Sequence, residues 1–289
     1  MHGITAKHIL SSSGGMNIYR GCTHGCIYCD ARSECYGMDH EFEDIAVKTN
    51  AVELLESELK RKRKKCMIGT GAMSDPYLHI ERSLETTRKT LELARRYGFG
   101  MTVQTKSDLV LRDLDLIKEI NAQTKFVVQM TLTTADDTLC KILEPNVCPT
   151  SRRVEVLEIL RDNCIPTVVW LCPILPYIND TQENVSQILD YCARAMVYGM
   201  INFGMGLTLR SGNREYFYKK LDEHFPGLKQ KYITAYGNSY EIASPNNSAL
   251  MRLYHSTCES YGIVHSNDKV FAYLHEFEQK PKYEQLRLF

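Results

Sequence analysis

From residue 50 onward, short apolar runs alternate with segments whose apolar residues recur every three or four positions. Val52, Leu55 and Leu59 share one face of a helix expected over 51–65, and Cys66-Met67-Ile68-Gly69-Thr70 then reads as a strand. The alternation continues with a helix near 82–97, a strand over 100–105, a helix near 111–120 and a strand over 126–132. After a longer loop come a helix over 151–163, a strand over 167–172, a helix near 181–198 and a strand around 200–205. One more strand is expected near 17–19. The count is about six βα units, the pattern of an α/β fold with a parallel sheet and right-handed crossovers.

Past Gly206 the pattern loosens into Tyr-rich helices over 216–225 and 248–261 and a polar tail. The organisation expected is a core over 1–210, a helical extension packed on it over 211–280, and an exposed tail over 281–289. A chain of 289 residues, 44% of them hydrophobic, can bury a full core of this size. Lys plus Arg and Asp plus Glu balance at 35 each, so no global basic field announces nucleic acid. Eleven cysteines, most of them single within apolar segments, argue for free thiols in a reducing cytosol. No stretch approaches the roughly 18 uncharged apolar residues of a membrane span, and the expectation is a soluble cytoplasmic protein without a membrane partner.

The densest chemistry lies in Arg20-Gly21-Cys22-Thr23-His24-Gly25-Cys26-Ile27-Tyr28-Cys29-Asp30. Three cysteines at C-x-x-x-C-x-x-C spacing can aim three thiolates at one point. A structural zinc site wants a fourth ligand close by and a fully ligated 4Fe-4S cluster a fourth cysteine, so the loop suits an iron-sulfur cluster with one iron left open. The competing reading is a zinc knuckle, which would not open a βα series.

Parallel strands put the loops that follow them on one face. The cysteine loop, Gly71 to Tyr77, Lys106-Ser107-Asp108 and Pro173 to Asp180 all follow strands, so they can share a pocket. Gly71 frees backbone for a ligand, and Ser74 and Asp75 offer acceptors for an ammonium, although an Asp-Pro turn also caps a following helix. Lys106 ends an apolar strand and can present a point charge to a carboxylate, or simply sit exposed. Arg112, Arg152, Arg153 and Arg210 follow strands or begin helices on that face and are placed for phosphate, with surface ion pairing as the alternative. The basic run from Lys60 to Lys65 falls on the opposite face, where it reads as a solvated helix end. Asp180 reads as a helix cap beside a Pro-shaped turn.

The segments "MNIYRGCTHGCIYCD", "GTGAMSDPYLHIE", "TVQTKSDLVLRDLDLI", "TLTTADD", "ILEPNVCPTSRR" and "PILPYIND", in this order over roughly residues 15 to 210, resemble the spore photoproduct lyase-like branch of the radical S-adenosylmethionine (SAM) enzymes. The resemblance implies a partial (β/α)6 TIM-like barrel, a cluster on Cys22, Cys26 and Cys29, and SAM chelated to the open iron. Reductive cleavage of SAM by an external one-electron donor of flavodoxin or ferredoxin type would give a 5′-deoxyadenosyl radical. It places Tyr28 against the adenine and Ser74, Lys106 and Thr131 at the methionyl group, Thr131 replacing a serine. DNA is the implied substrate class; radical modification of a peptide, or a metal-bearing module without activity, are the alternatives. One departure matters. The lyase carries a hydrogen-donating cysteine two residues before the position of Ser74, and here that residue is Ala72. Cys148 and Cys172 are the replacement candidates, against the reading of ordinary buried thiols. The ending Gln285-Leu286-Arg287-Leu288-Phe289 resembles the peptide by which bacterial repair proteins hold the sliding clamp, through Gln285, Leu286, Leu288 and Phe289.

Overall fold

A computed structural model describes residues 1–281. The clamp-like motif at 285–289 lies outside them. The strands are β1 (His2–Ile4), β2 (Gly15–Met16), β3 (Tyr19–Arg20), β4 (Ala46–Lys48), β5 (Met67–Thr70), β6 (Gly100–Thr105), β7 (Phe126–Thr131), β8 (Thr167–Trp170), β9 (Gly199–Ile201), β10 (Gly206–Thr208) and β11 (Glu241–Ala243). The helices are α1 (Ala51–Arg61), α2 (Glu81–Leu84), α3 (Thr86–Tyr97), α4 (Leu114–Gln123), α5 (Asp137–Leu143), α6 (Thr150–Asp162), α7 (Gln182–Arg194), α8 (Asn213–His224), α9 (Leu228–Tyr236), α10 (Asn247–Tyr261) and α11 (Asn267–His275).

Six strands form one parallel sheet in the order β2-β5-β6-β7-β8-β9. The two edge strands do not pair with each other, so the barrel is partial and open. Every residue of β7 is buried, as expected where a parallel sheet is covered on both faces. Leu55 and Leu59 of α1, Leu91 and Ala94 of α3, Ile117 and Ile120 of α4 and Leu157 and Leu160 of α6 pack into the same core as the strands.

The first barrel strand is Gly15–Met16, where 17–19 was expected. Tyr19–Arg20 instead pairs antiparallel with β4, which also pairs in parallel with β1, making a small separate sheet. The helix expected near 82–97 is two helices, because Glu85 adopts φ 51° and turns the chain between them. The helix expected from 111 begins at Leu114, after a 3-10 turn at Asp108–Asp113, and α5 occupies part of the stretch expected as a loop. Beyond β9, β10 and β11 form an antiparallel pair. Helices α8 and α9 build a second core in which Phe217, Leu221 and Tyr232 meet Ile27, Tyr28 and Leu175. Among the described residues, no helix is long and apolar enough to cross a membrane.

Candidate active site

The C-terminal ends of the sheet strands surround a cavity of about 580 Å³. Its wall comprises the cysteine loop, Gly71 to Asp75 after β5, Gln104 to Lys106 at the end of β6, Thr131 of β7, Cys172 after β8, and the β10–β11 pair. Cys22, Cys26 and Cys29 therefore face the same space as Tyr28, Gly71, Ser74, Asp75, Lys106 and Thr131. Cys172 also lines it. The Cys148 thiol points elsewhere: it donates to the Lys106 carbonyl at 3.2 Å and is not among the lining residues.

The cysteine loop is held in shape from two sides. Gly21 has φ 85°, and a Cβ there would lie 2.4 Å from the Phe42 carbonyl oxygen, which accepts from the Cys22 amide at 2.9 Å. A side chain at this position would break that contact. On the other side, the segment 143–146 is stitched to the loop: the Ile27 amide donates to Leu143 (2.9 Å), the Asn146 amide to His24 (3.1 Å) and the Asn146 side chain to Thr23 (2.9 Å). The "ILEPN" motif thus supports the cysteines.

Burial pushes all three thiols up, Cys22 to about 12, and repulsion from neighbouring thiols adds to it at Cys22 and Cys26, so three anionic sulfurs here call for bound positive charge. Among the described residues, the only three metal-ligating groups whose donor atoms all lie within 4.8 Å of one another are elsewhere, at His2, His40 and Asp44. A single tetrahedral zinc would hold thiolates about 3.8 Å apart, given Zn–S near 2.3 Å. The three sulfurs do not form such a group, so the residues fit a donor set spread over several irons better than a single zinc ion.

Asp75 is more than an acceptor awaiting a ligand. Its buried carboxylate takes the Thr105 hydroxyl (2.8 and 3.0 Å), the Lys106 amide (2.8 Å) and the Tyr77 amide (2.8 Å), with His24 Nδ1 at 3.5 Å. It ties the end of β6 to the loop after β5 and to the cysteine loop. Ser74 donates to the Gly21 carbonyl at 2.6 Å, which leaves its oxygen only as an acceptor toward the cavity. Gly71 has φ 107°, and a Cβ there would meet the Gln104 carbonyl oxygen at 2.0 Å. Lys106 lines the cavity with no hydrogen-bond or ion-pair partner for its ammonium among the described residues. Burial works against its charge, but Cys26, Glu144 and Cys29 outweigh that and raise its pKa.

Arg153 is not a phosphate ligand. Its side chain is fully buried and pairs with Glu144, also fully buried, while donating to the Thr131 carbonyl (2.8 Å) and the Cys148 carbonyl (3.1 Å). Glu144 in turn accepts the Tyr28 hydroxyl. This chain of contacts fixes the Tyr28 ring and the end of β7. Glu144 was not foreseen; Arg153 had a signal, since it shares a helical face with Leu157 and Leu160 at i+4 and i+7. Arg112 is committed to Asp113 (2.8 Å) and Glu81 (3.4 Å), and Arg152 to Asp108 (3.1 Å) and Glu155 (2.9 Å). Of the four arginines, Arg210 remains beside the mouth, where it donates to the Tyr240 hydroxyl (2.7 Å) near Tyr36, with Asp30 at 3.8 Å. Phe203, 65% exposed, completes the rim.

The family model "Radical SAM superfamily" matches residues 16–192. An uncharacterized protein of Mycobacterium tuberculosis is 30% identical over 234 residues, covering 76% of this chain and 66% of its own length, so the chain spans just under two thirds of that relative. In structure the chain is similar to a spore photoproduct lyase variant (TM-score 0.68, 14% identity, 91% of this chain and 80% of the lyase). It is also similar to the lyase complexed with dinucleoside spore photoproduct (TM-score 0.65, 13% identity, 91% and 80%). At these identities the likeness is one of fold.

Proposed function

The chain belongs to the radical SAM superfamily, and from that premise we propose that Cys22, Cys26 and Cys29 hold one 4Fe-4S cluster with SAM in the cavity beside it. The observation that carries this is the convergence of three thiols, that of Cys26 buried, and the Lys106 ammonium, unpaired among the described residues, on a single cavity. When bound and reduced by an external one-electron donor of flavodoxin or ferredoxin type, the pair supplies a 5′-deoxyadenosyl radical that takes hydrogen from the substrate. Lys106 presents its charge to the methionyl carboxylate, and the Thr131 hydroxyl and the Ser74 oxygen bind the same end of SAM. Asp75 and Gly71 shape the floor. Tyr28, locked by Glu144, gives the adenine a flat wall. The enclosure keeps water and stray hydrogen donors from the reacting atoms.

The substrate class proposed is nucleic acid, DNA first. Two things support it: the fold shared with a lyase solved with a dinucleoside photoproduct, and a rim that offers the Arg210 guanidinium with the aromatic faces of Tyr36, Tyr240 and Phe203. Ala72 lines the cavity where the lyase pattern has a thiol, so the chemistry differs from photoproduct repair in its hydrogen donor. Cys172 is the lining thiol available for that part. Burial pushes it up to about 12, which keeps it in the neutral S–H form that a hydrogen donor needs.

Anaerobic reconstitution tests the cofactor reading: iron and sulfide near four each per chain are expected, with 5′-deoxyadenosine released on addition of dithionite and SAM. Cys26→Ala should abolish the release. Zinc without iron, or no SAM cleavage, overturns it. The substrate reading expects plain or irradiated DNA to raise the cleavage rate; stimulation by peptides alone would move the substrate to that class.

A further inference from the structure

Outside the cavity, the donor atoms of His2, His40 and Asp44 lie within 4.8 Å of one another. His2 starts β1, while His40 and Asp44 sit on the loop that returns from the cysteine loop to β4. His2 Nδ1 and Asp44 Oδ2 share a proton at 2.8 Å, and the Met1 amino group pairs with the other Asp44 oxygen.

The state of His40 is the second observation. Its Nδ1 lies 3.0 Å from the Glu41 carbonyl oxygen, which can only accept, so Nδ1 carries the ring proton. Nε2 is then the lone-pair nitrogen, and that atom is buried without a partner among the described residues. An imidazole oriented by a backbone carbonyl through one nitrogen, with the other bare, is the usual preparation of a metal-binding histidine. A buried acceptor left unpaired otherwise carries a desolvation cost. The edge-to-face contact of the His2 and His40 rings, with centroids 4.9 Å apart, keeps both imidazoles at the same spot.

We propose that His2, His40 and Asp44 form a second metal site, for a zinc-class divalent ion bound by two imidazoles and a carboxylate with the remaining position open to water. The ion takes the place of the proton between His2 and Asp44, the neutral His2 ring then carrying its hydrogen on Nε2, and no oxidation state changes. Its place gives it a structural role. Phe42, between two of the ligands, supplies the carbonyl that holds the Cys22 amide and abuts Gly21. Joining His40 and Asp44 to β1 therefore fixes the loop behind the first cluster cysteine. The site stands apart from the cluster and does not depend on the function proposed above.

The test uses the full chain with Cys22, Cys26 and Cys29 all replaced by alanine, so that the cluster thiolates cannot compete. Zinc is titrated against a chromophoric chelator, and hydrogen exchange is followed over residues 37–45. One equivalent of zinc should bind and slow exchange at Phe42, Glu43 and Asp44, and His40→Ala and His2→Ala should each weaken binding by at least about tenfold. His2→Ala lies at the start of an edge strand and leaves the core untouched, so it reads binding even where His40→Ala disturbs the loop. Absence of zinc binding, or a loss below tenfold for His2→Ala, overturns the proposal and leaves the two imidazoles as a packed ring pair.

Discussion

The inner wall of the cavity and its rim treat their polar groups in opposite ways. Inside, the Asp75 carboxylate is filled by three partners, Ser74 is spent on Gly21, and Tyr28, Glu144 and Arg153 form a closed buried chain. The Lys106 ammonium faces the space with no hydrogen-bond or ion-pair partner among the described residues. At the rim, Arg210 and Tyr240 are part-exposed and Phe203 mostly so. The difference assigns the work. Groups that must hold a reactive centre in one geometry are fixed by neighbours before any ligand arrives, which spares reorganisation during reaction. On the function proposed, the exposed rim groups are the ones that select the target, where a large substrate can reach them.

The largest effect expected from breaking the inner wall comes from Glu144→Gln. It leaves the Arg153 charge buried and unpaired, and the loss of one partner of a buried ion pair costs about 3–5 kcal/mol. Thermal unfolding of the reconstituted enzyme should shift down by on the order of 10 °C. Combining it with Arg153→Met, which removes the orphaned charge, should restore much of that loss. A Glu144→Gln protein that melts like the parent yet fails to cleave SAM would instead place Glu144 in the chemistry rather than in the scaffold.

The same contrast explains what could be read from the chain. Strands β5 to β8 and most of the helices between them were legible because each strand is a mostly apolar run of four or more residues and most of those helices repeat their apolar positions every three or four residues. Strands of two or three residues, such as β2, β3, β10 and β11, show none, and their place depends on partners far along the chain. The nine residues whose positions suggested cluster and SAM binding all reached the cavity wall. What stayed hidden was how they are held. Nothing local in "ILEPN" says that its carboxylate meets Tyr28, and Arg153 reads as a surface charge until its stripe-mates Leu157 and Leu160 are considered. Buried charge pairs are the usual exception to rules that place arginine outside.

A middle-sized effect is expected for Lys106→Met, which keeps the length of the side chain and removes its charge. A hydrogen bond to a charged group contributes about 1.5–3 kcal/mol, so the KM for SAM should rise by roughly ten- to a hundredfold while the melting temperature falls far less than in Glu144→Gln, since the ammonium has no hydrogen-bond or ion-pair partner among the described residues to lose. Titrating SAM in the single-turnover cleavage assay reads this directly. A fall in kcat with KM unchanged would move Lys106 from ground-state binding to a role in cleavage alone.

Arg210→Ala should disturb least, and it sharpens the comparison most. The Arg210 side chain contacts Tyr240, Tyr36, Cys35 and Asp30 at the rim, so iron content, melting temperature and SAM cleavage without substrate should match the parent. If the rim selects a nucleic acid, the stimulation of cleavage by DNA should weaken and its dependence on salt should flatten, because one phosphate contact fewer lowers the slope of log affinity against log salt by about one. Unchanged stimulation at every salt concentration would mean that DNA, if it binds at all, does not approach over this side of the mouth. The exposed ring of Phe203, which also lines the cavity, would then be the group to alter next.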